Sequence, residues 1–319
     1  MQHWKKFYTL FAGSCLLSFG VYAQGVEHTQ HVTGSTPSGV VQTGATVEID
    51  DESKEKSPIT FRKSGLSLRS SMALVVDQKT GQTLYAKNTD ARAPIASITK
   101  LMTAMVVLDA NLPLDERLVI GNEDVDALRN THSRLQVGTK LSREMALQLA
   151  LMSSENRAAA ALARHYPGGF QAFVAAMNRK AASLGMVQTH FVDSTGLNSD
   201  NVSTAHDLVR MVQAAYKYPL IREMTTTGSY DVAMKATGRQ MQFKNTNMLV
   251  RNNSWQIGLS KTGYINEAGH CLVMQAEIAK QPMIIVLLDS WGKLSRIADA
   301  QRIKKWMESS LTVGKRRYS

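Results

Sequence analysis

Ser97 and Lys100 stand three residues apart in Pro94-Ile95-Ala96-Ser97-Ile98-Thr99-Lys100-Leu101-Met102, at the start of an apolar, helix-forming run. Positions i and i+3 share one helix face, so this spacing brings Ser97 Oγ within hydrogen-bond reach of Lys100 Nζ. Pro94 disfavours helix before it, which predicts a helix that starts near Ser97 and reaches about Leu108. A serine at that start lies among backbone N–H groups without intrahelical partners, at the positive end of the helix dipole. Such a serine can attack a carbonyl while free amides hold the oxyanion, and a neutral Lys100 can take its proton. The pair alone is a weak signal, because an N-cap serine and a solvated lysine share the same spacing.

Two further triplets strengthen it. Ser154-Glu155-Asn156 lies between helical runs at Met145–Leu151 and Ala158–Arg164, and Lys261-Thr262-Gly263 follows a strand-like run. Ser-x-x-Lys, Ser-x-Asn and Lys-Thr-Gly in this order match the signature of penicillin-recognising serine acyltransferases. The chemistry suits these residue types. Lys100 must be neutral to act as a base, which calls for burial and a nearby cation. Lys261 can supply that cation and hold a substrate carboxylate, helped by the Thr262 hydroxyl. Ser154 can relay a proton to a leaving amine, and Asn156 can hold a substrate backbone amide. Gly263, lacking Cβ, allows a strand to approach the ligand, and the N–H groups of Tyr264 and Ser97 can form an oxyanion hole. This reading leaves open which lysine or serine carries each proton. A second Lys-Thr-Gly, at Lys79-Thr80-Gly81, falls between two short strands upstream of Ser97 and reads as a turn.

The segments Pro94–Asp109, Leu149–Gly169 and Leu259–Met274 resemble the D-alanyl-D-alanine endopeptidase subgroup of low-molecular-mass penicillin-binding proteins, typified by penicillin-binding protein 7. The resemblance runs from about Ser70 to Met307. It implies a penicillin-binding transpeptidase fold with neither metal nor organic cofactor. It also implies a periplasmic location, cleavage of D-alanyl–diaminopimelyl cross-links in peptidoglycan, and covalent inhibition by β-lactams. Onto this chain it carries Ser97 as nucleophile, Lys100 as base, Ser154 and Asn156 in the second motif, and Lys261, Thr262 and Gly263 in the third. The middle residue of the second motif is Glu155, where related enzymes commonly have Asp.

The elements that must position these residues follow a simple order. Residues 1–23 carry a basic start, an apolar run and small residues before Ala23, which reads as a cleaved secretory signal. Residues 24–68, rich in Thr, Ser and Gly, read as a flexible leader. Residues 69–310 are expected to form the peptidase domain and 311–319 a basic tail. Within the domain, Met72–Asp77 and Gln82–Ala86 form a hairpin, and signals from Glu116 to Lys217 are mostly helical. Ser142 and Ser203 are expected helix caps. After Pro219 the chain turns strand-like, with strands at Trp255–Ser260, Cys271–Ile278 and Met283–Leu288, the last two joined by a turn at Lys280-Gln281. A closing helix runs from about Leu294 to Met307, with Ile297, Ala300, Ile303 and Met307 on one face. The expected fold is therefore α/β (α+β): an antiparallel sheet built from both chain ends, flanking helices, and an inserted all-helical lobe.

Composition narrows the alternatives. The formal charge is +11, and removal of the signal with Lys5 and Lys6 leaves the mature chain strongly basic. That suits an anionic wall polymer or lipid headgroups, which the basic tail can touch peripherally. An export signal, and the lack of a basic stripe interleaved with aromatics, argue against nucleic acid. Cys15 leaves with the signal, so Cys271 is the sole mature cysteine, expected as a small buried residue. The histidines show no His-Glu-x-x-His or comparable spacing, which disfavours a metal endopeptidase. Two relatives in mechanism compete with the endopeptidase, a D-alanyl-D-alanine carboxypeptidase and a β-lactamase, and a reading of a different class is a non-catalytic wall-binding protein. With only Glu308–Ser319 after the closing helix, the β-rich second domain and anchor common in the carboxypeptidases are not expected here. Glu223 is the only glutamate between the second and third motifs and lacks the context of a class A deacylating residue. Intact Ser97, Lys100 and Lys261 disfavour an idle site.

Overall fold

In the computed structural model, residues 65–234, 239–252 and 254–316 are described. The expected signal and most of the leader lie outside them. Leu66 and Leu68, the end of the expected leader, pack against the second of two apolar cores.

Alternation in the strands explains both cores. In β1 (Met72–Asp77), Met72, Leu74 and Val76 face one core, while Ala73 and Val75 face the other. β1 pairs with β2 (Thr83–Lys87) across a turn in which Asp77 Oδ1 accepts from the Lys79 and Thr80 N–H groups. Lys79-Thr80-Gly81 is thus a turn, with Gly81 at φ +72°. A two-residue strand, β3 (Ala93–Pro94), leads to the first signature motif.

The helical lobe begins with α1 (Lys100–Asp109), whose residues from Lys100 to Val107 are all buried. A helix apolar on every side belongs inside a lobe. Around it lie β4 (Arg117–Val119), β5 (Lys140–Ser142), α2 (Arg143–Met152), α3 (Asn156–Arg164), α4 (Gly169–Ser183), β6 (Val202–Ser203), α5 (Ala205–Ala215) and α6 (Pro219–Thr226). Ser142 Oγ accepts from Met145 N–H at 3.1 Å and caps α2. At α5 the cap is Thr204, which accepts from Asp207 N–H at 3.2 Å, one residue after the expected Ser203. Pro219 opens α6 rather than closing the lobe: its missing N–H is no loss at a first helical position. The lobe is also less helical than expected. β4 pairs with β5 and β3 with β6, and long irregular stretches precede β5 and β6.

A separate hairpin, β7 (Ser229–Met234) with β8 (Arg239–Lys244), precedes the return to the main sheet. There β9 (Gln256–Ile265), β10 (Gly269–Ile278) and β11 (Gln281–Ser290) complete an antiparallel sheet of order β2-β1-β11-β10-β9. The last turn is Ala279-Lys280, one residue earlier than expected. Both residues have positive φ, +53° and +65°, the pattern of a two-residue turn that matches strand twist. Finally α7 (Ser295–Arg316) covers the second core with Ile297, Ala300, Ile303 and Met307, the face expected from periodicity. Both ends of the described chain therefore build one sheet, covered by the lobe on one face and α7 on the other. Cys271 is fully buried on β10, where burial pushes its thiol up to about 11. Among the described residues no helix is long and apolar enough to cross a membrane.

Candidate active site

Ser97 sits on a 3₁₀ turn (Ala96–Thr99) that runs into α1, so the α-helix starts at Lys100 and not at the serine. Ala96 explains the offset. It holds φ +47°, a left-handed conformation that a non-glycine residue adopts at a cost, and it turns the chain sharply into the motif. Gly196, at φ +81°, packs beneath this turn: a Cβ there would lie 1.9 Å from Ala96 O. Gly263 of β9 closes the other side, where a Cβ would lie 2.9 Å from Ile95 O and 3.1 Å from Ser97 N. The third motif therefore abuts the first through backbone, which only glycine permits without displacement.

Lys100 is fully buried. Its Nζ lies 2.8 Å from Ser97 Oγ, 2.8 Å from Asn156 Oδ1 and 2.6 Å from Thr195 O. The last two atoms can only accept, so they take two N–H groups of the amine. In a neutral amine the remaining direction is the lone pair, and it faces Ser97 Oγ. Burial lowers the Lys100 pKa to about 7, against the opposing pull of the Asp193 and Glu155 carboxylates. Desolvation, one of the two expected causes, is the main one, and Lys261, the expected cation, repels Lys100 across the site.

Lys261 is equally buried and donates to Ser154 Oγ and to Thr262 O, both at 2.9 Å. Burial holds its pKa well below the lysine range, and the charges of Lys100 and Arg296 push the same way. Ser154 has φ +61°, so a second non-glycine residue at the site is held in the left-handed region. Strain of this kind persists only where the surroundings over-determine it, as at sites that must aim a side chain. The Thr262 hydroxyl donates to Thr246 Oγ1 at 2.7 Å. Tyr264, on β9, is exposed and stacks on His270 of β10, with ring centroids 4.2 Å apart.

The structure thus gathers Ser97, Lys100, Asn156, Ser154, Lys261 and Gly263 into one connected cluster, with Thr262 and Tyr264 flanking it on β9. It also shows partners that sequence reading missed. Arg296, in the first turn of α7, donates to Gly263 O at 3.2 Å and places a charge behind β9. Asp193 Oδ1 accepts from the N–H groups of Thr195 and Gly196, both at 2.6 Å, and so sets the loop whose carbonyl holds Lys100. Asn201 ties that loop back to Thr99 Oγ1 at 3.0 Å. Glu155, the divergent middle residue of the second motif, accepts from the Ser133 hydroxyl and does not enter the cluster. Asp193-Ser194-Thr195-Gly196 carried a readable signal, since an Asp three residues before a glycine is a turn pattern. Arg296 carried none, being one polar residue on an amphipathic helix.

Comparison with known proteins agrees with this geometry. A D-alanyl-D-alanine endopeptidase of Pseudomonas aeruginosa is 52% identical over 251 residues, covering 77% of this chain and 81% of that protein. One from Escherichia coli K12 is 48% identical over 242 residues, covering 76% and 78%. The crystal structure of the Streptomyces K15 DD-transpeptidase superposes with a TM-score of 0.70 at 32% identity, covering 75% of this chain and 97% of that one. The family model described as D-alanyl-D-alanine carboxypeptidase (peptidase S11) matches residues 59–292. With that match spanning most of the chain, and the three motifs meeting at Ser97, the chain belongs to the D-alanyl-D-alanine carboxypeptidase family, peptidase family S11.

Proposed function

We propose that this serine peptidase is a DD-endopeptidase that hydrolyses D-alanyl–diaminopimelyl cross-links of peptidoglycan in the periplasm. The observation that carries its mechanism is the geometry of Lys100, whose two N–H groups are engaged by Asn156 Oδ1 and Thr195 O while its third direction faces Ser97. Ser97 Oγ attacks the D-alanyl carbonyl as its proton passes to Lys100 Nζ. The N–H groups of Ser97 and Tyr264 hold the oxyanion, at the place where Gly263 brings β9 against the turn. As the C–N bond breaks, the proton that Lys100 took from Ser97 passes through the Ser154 hydroxyl, which Lys261 holds, to the leaving diaminopimelyl amine, and Lys100 is neutral again. An ester on Ser97 remains. Water then attacks this ester, giving a proton to Lys100, which returns it to Ser97 Oγ as the D-alanyl carboxylate leaves.

Lys261, with Arg296 behind β9, gives the site its positive charge for a substrate carboxylate, and the second N–H of the Asn156 amide is available to the substrate backbone. A β-lactam would enter by the same attack and stay as an acyl-enzyme. Among the described residues Glu223 is exposed on α6 and Glu155 is turned to Ser133, so neither stands ready to speed its release. The higher identity to proteins named endopeptidases supports cross-link cleavage. The family description favours a second reading, removal of a terminal D-alanine. The run of basic residues Lys315, Arg316 and Arg317 in the sequence suits contact with anionic wall polymer or a membrane surface.

Digestion of purified cross-linked peptidoglycan, read by mass spectrometry against Ser97→Ala, tests the reading. Conversion of peptide-linked dimers to monomers only with intact Ser97 is the expected result. Loss of a single terminal alanine, with dimers untouched, would make the protein a carboxypeptidase.

A further inference from the structure

Lys100 meets the carbonyl oxygen of the Asn156 amide, and a chain of side chains dictates that orientation. Asn156 Nδ2 donates to Thr131 Oγ1 at 3.0 Å, and Thr131 Oγ1 donates to Asp126 Oδ2 at 2.7 Å. The Thr131 backbone N–H reaches the same carboxylate oxygen at 2.8 Å, while Asp126 Oδ1 accepts from Leu128 and Arg129 N–H at 2.9 and 3.0 Å. Partial burial pushes the Asp126 carboxyl up, but the hydrogen bonds from Thr131, Arg129 and Leu128 outweigh it and hold its pKa below the usual range. An ionised carboxylate only accepts, and a threonine hydroxyl has one proton. That proton is committed to Asp126, so Thr131 can offer Asn156 only a lone pair. Asn156 must then turn its NH₂ to Thr131 and its oxygen to Lys100.

We propose that Asp126 and Thr131 are positioning residues that lock the Asn156 amide in the orientation a neutral Lys100 requires. Both belong to the irregular stretch before β5, and neither is hydrogen-bonded to Ser97 or Lys100. The proposal rests on the reading of Lys100 as the base for Ser97. An inverted amide would present N–H to Lys100 and engage the lone pair that serves Ser97. It would also withdraw an acceptor from protonated Lys100, so the lysine would lose its proton more easily. The other charges around Lys100 are Asp193 from the loop before β6, Glu155 before α3, Lys261 on β9 and Arg296 on α7 behind it; a change at Thr131 leaves them in place.

The test is the pH dependence of acylation by a fluorescent penicillin, using the full chain with Ser97→Ala as blank and the thermal midpoint recorded for each variant. Thr131→Val keeps the shape and the backbone N–H to Asp126 but removes the hydroxyl. It should lower the limiting acylation rate about a hundredfold, within the range of general base catalysis. Its acidic limb should also move below the wild-type position near 7. Thr131→Ser, which restores the hydroxyl, should restore both. Asp126→Asn, of conserved size, sets an NH₂ against Thr131 and allows the amide to invert, so it should behave as Thr131→Val and serve if that variant does not fold. Wild-type rates in Thr131→Val and Asp126→Asn, or slower rates with an unmoved limb, would overturn the lock while leaving Ser97 as nucleophile. Labelling of wild type that persists in Ser97→Ala would instead overturn the underlying reading.

Discussion

Lys100 Nζ lies 2.6 Å from the carbonyl oxygen of Thr195, a residue 95 positions further along the chain. This contact, with that to Asn156, does more than satisfy a buried amine. It fixes the direction of the lone pair, and burial makes that lone pair available near neutral pH. A short pair of motif residues thereby becomes a general base with defined geometry.

Acylation should follow the protonation of Lys100. Below its value of about 7 the amine is charged and cannot accept the Ser97 proton, so the rate rises with pH through that value and then levels. Lys261, also depressed by burial, must be charged to hold a carboxylate, so the rate should fall again below the ordinary lysine range. The two limbs belong to the coupled pair of lysines. Stopped-flow acylation across pH measures both. Lys100→Arg, permanently charged, should lose about 10²- to 10⁴-fold at every pH.

Charge on the substrate should matter through Lys261. Lys261→Met removes the cation and the hydrogen bond to Ser154, so KM should rise and kcat fall for a peptide ending in a carboxylate. Its methyl ester should lose far less. Equal losses for acid and ester would show that Lys261 acts only through Ser154.

Gly196→Ala should be damaging at a distance from the chemistry. The new Cβ would meet Ala96 O at 1.9 Å and Ser97 N at 2.9 Å, on a backbone already at φ +81°. Displacement of the Ser97 turn should lower stability by roughly 1–3 kcal/mol, the scale of a strained backbone position, and suppress acylation further. Gly263→Ala, whose nearest contacts are 2.9, 3.0 and 3.1 Å, should show the same pattern in weaker form. Denaturant melts alongside penicillin labelling separate the two effects.

Cys271 should be inert. It is free and fully buried, and burial raises its thiol to about 11, so little thiolate exists at pH 8. A thiol reagent should label it only after denaturation.

The sheet was legible because its strands announce themselves: β1 and β11 are unbroken apolar runs whose alternate residues enter two cores, and α7 shows one clean apolar face. Ser97, Lys100 and the later triplets were legible from residue type and spacing. What lay out of reach depends on long-range contact. Thr131 and Asp126 sit in a stretch without period, and only the fold brings Thr131 beside Asn156. Pro219 was misread because a proline serves equally at a helix start and after a helix end. The left-handed turn at Ala96 was hidden because nothing local to an alanine favours it, and the room it needs is left by Gly196 and Gly263 from elsewhere in the chain.

The most direct measurement is intact-mass and peptide mapping of the chain after reaction with benzylpenicillin at pH 8. One equivalent of adduct on the peptide containing Ser97, slow to leave, absent from Ser97→Ala and much slower to form in Lys100→Arg, is the predicted result. An adduct on Ser154 or another residue, or undiminished Ser97 labelling in Lys100→Arg, would contradict it.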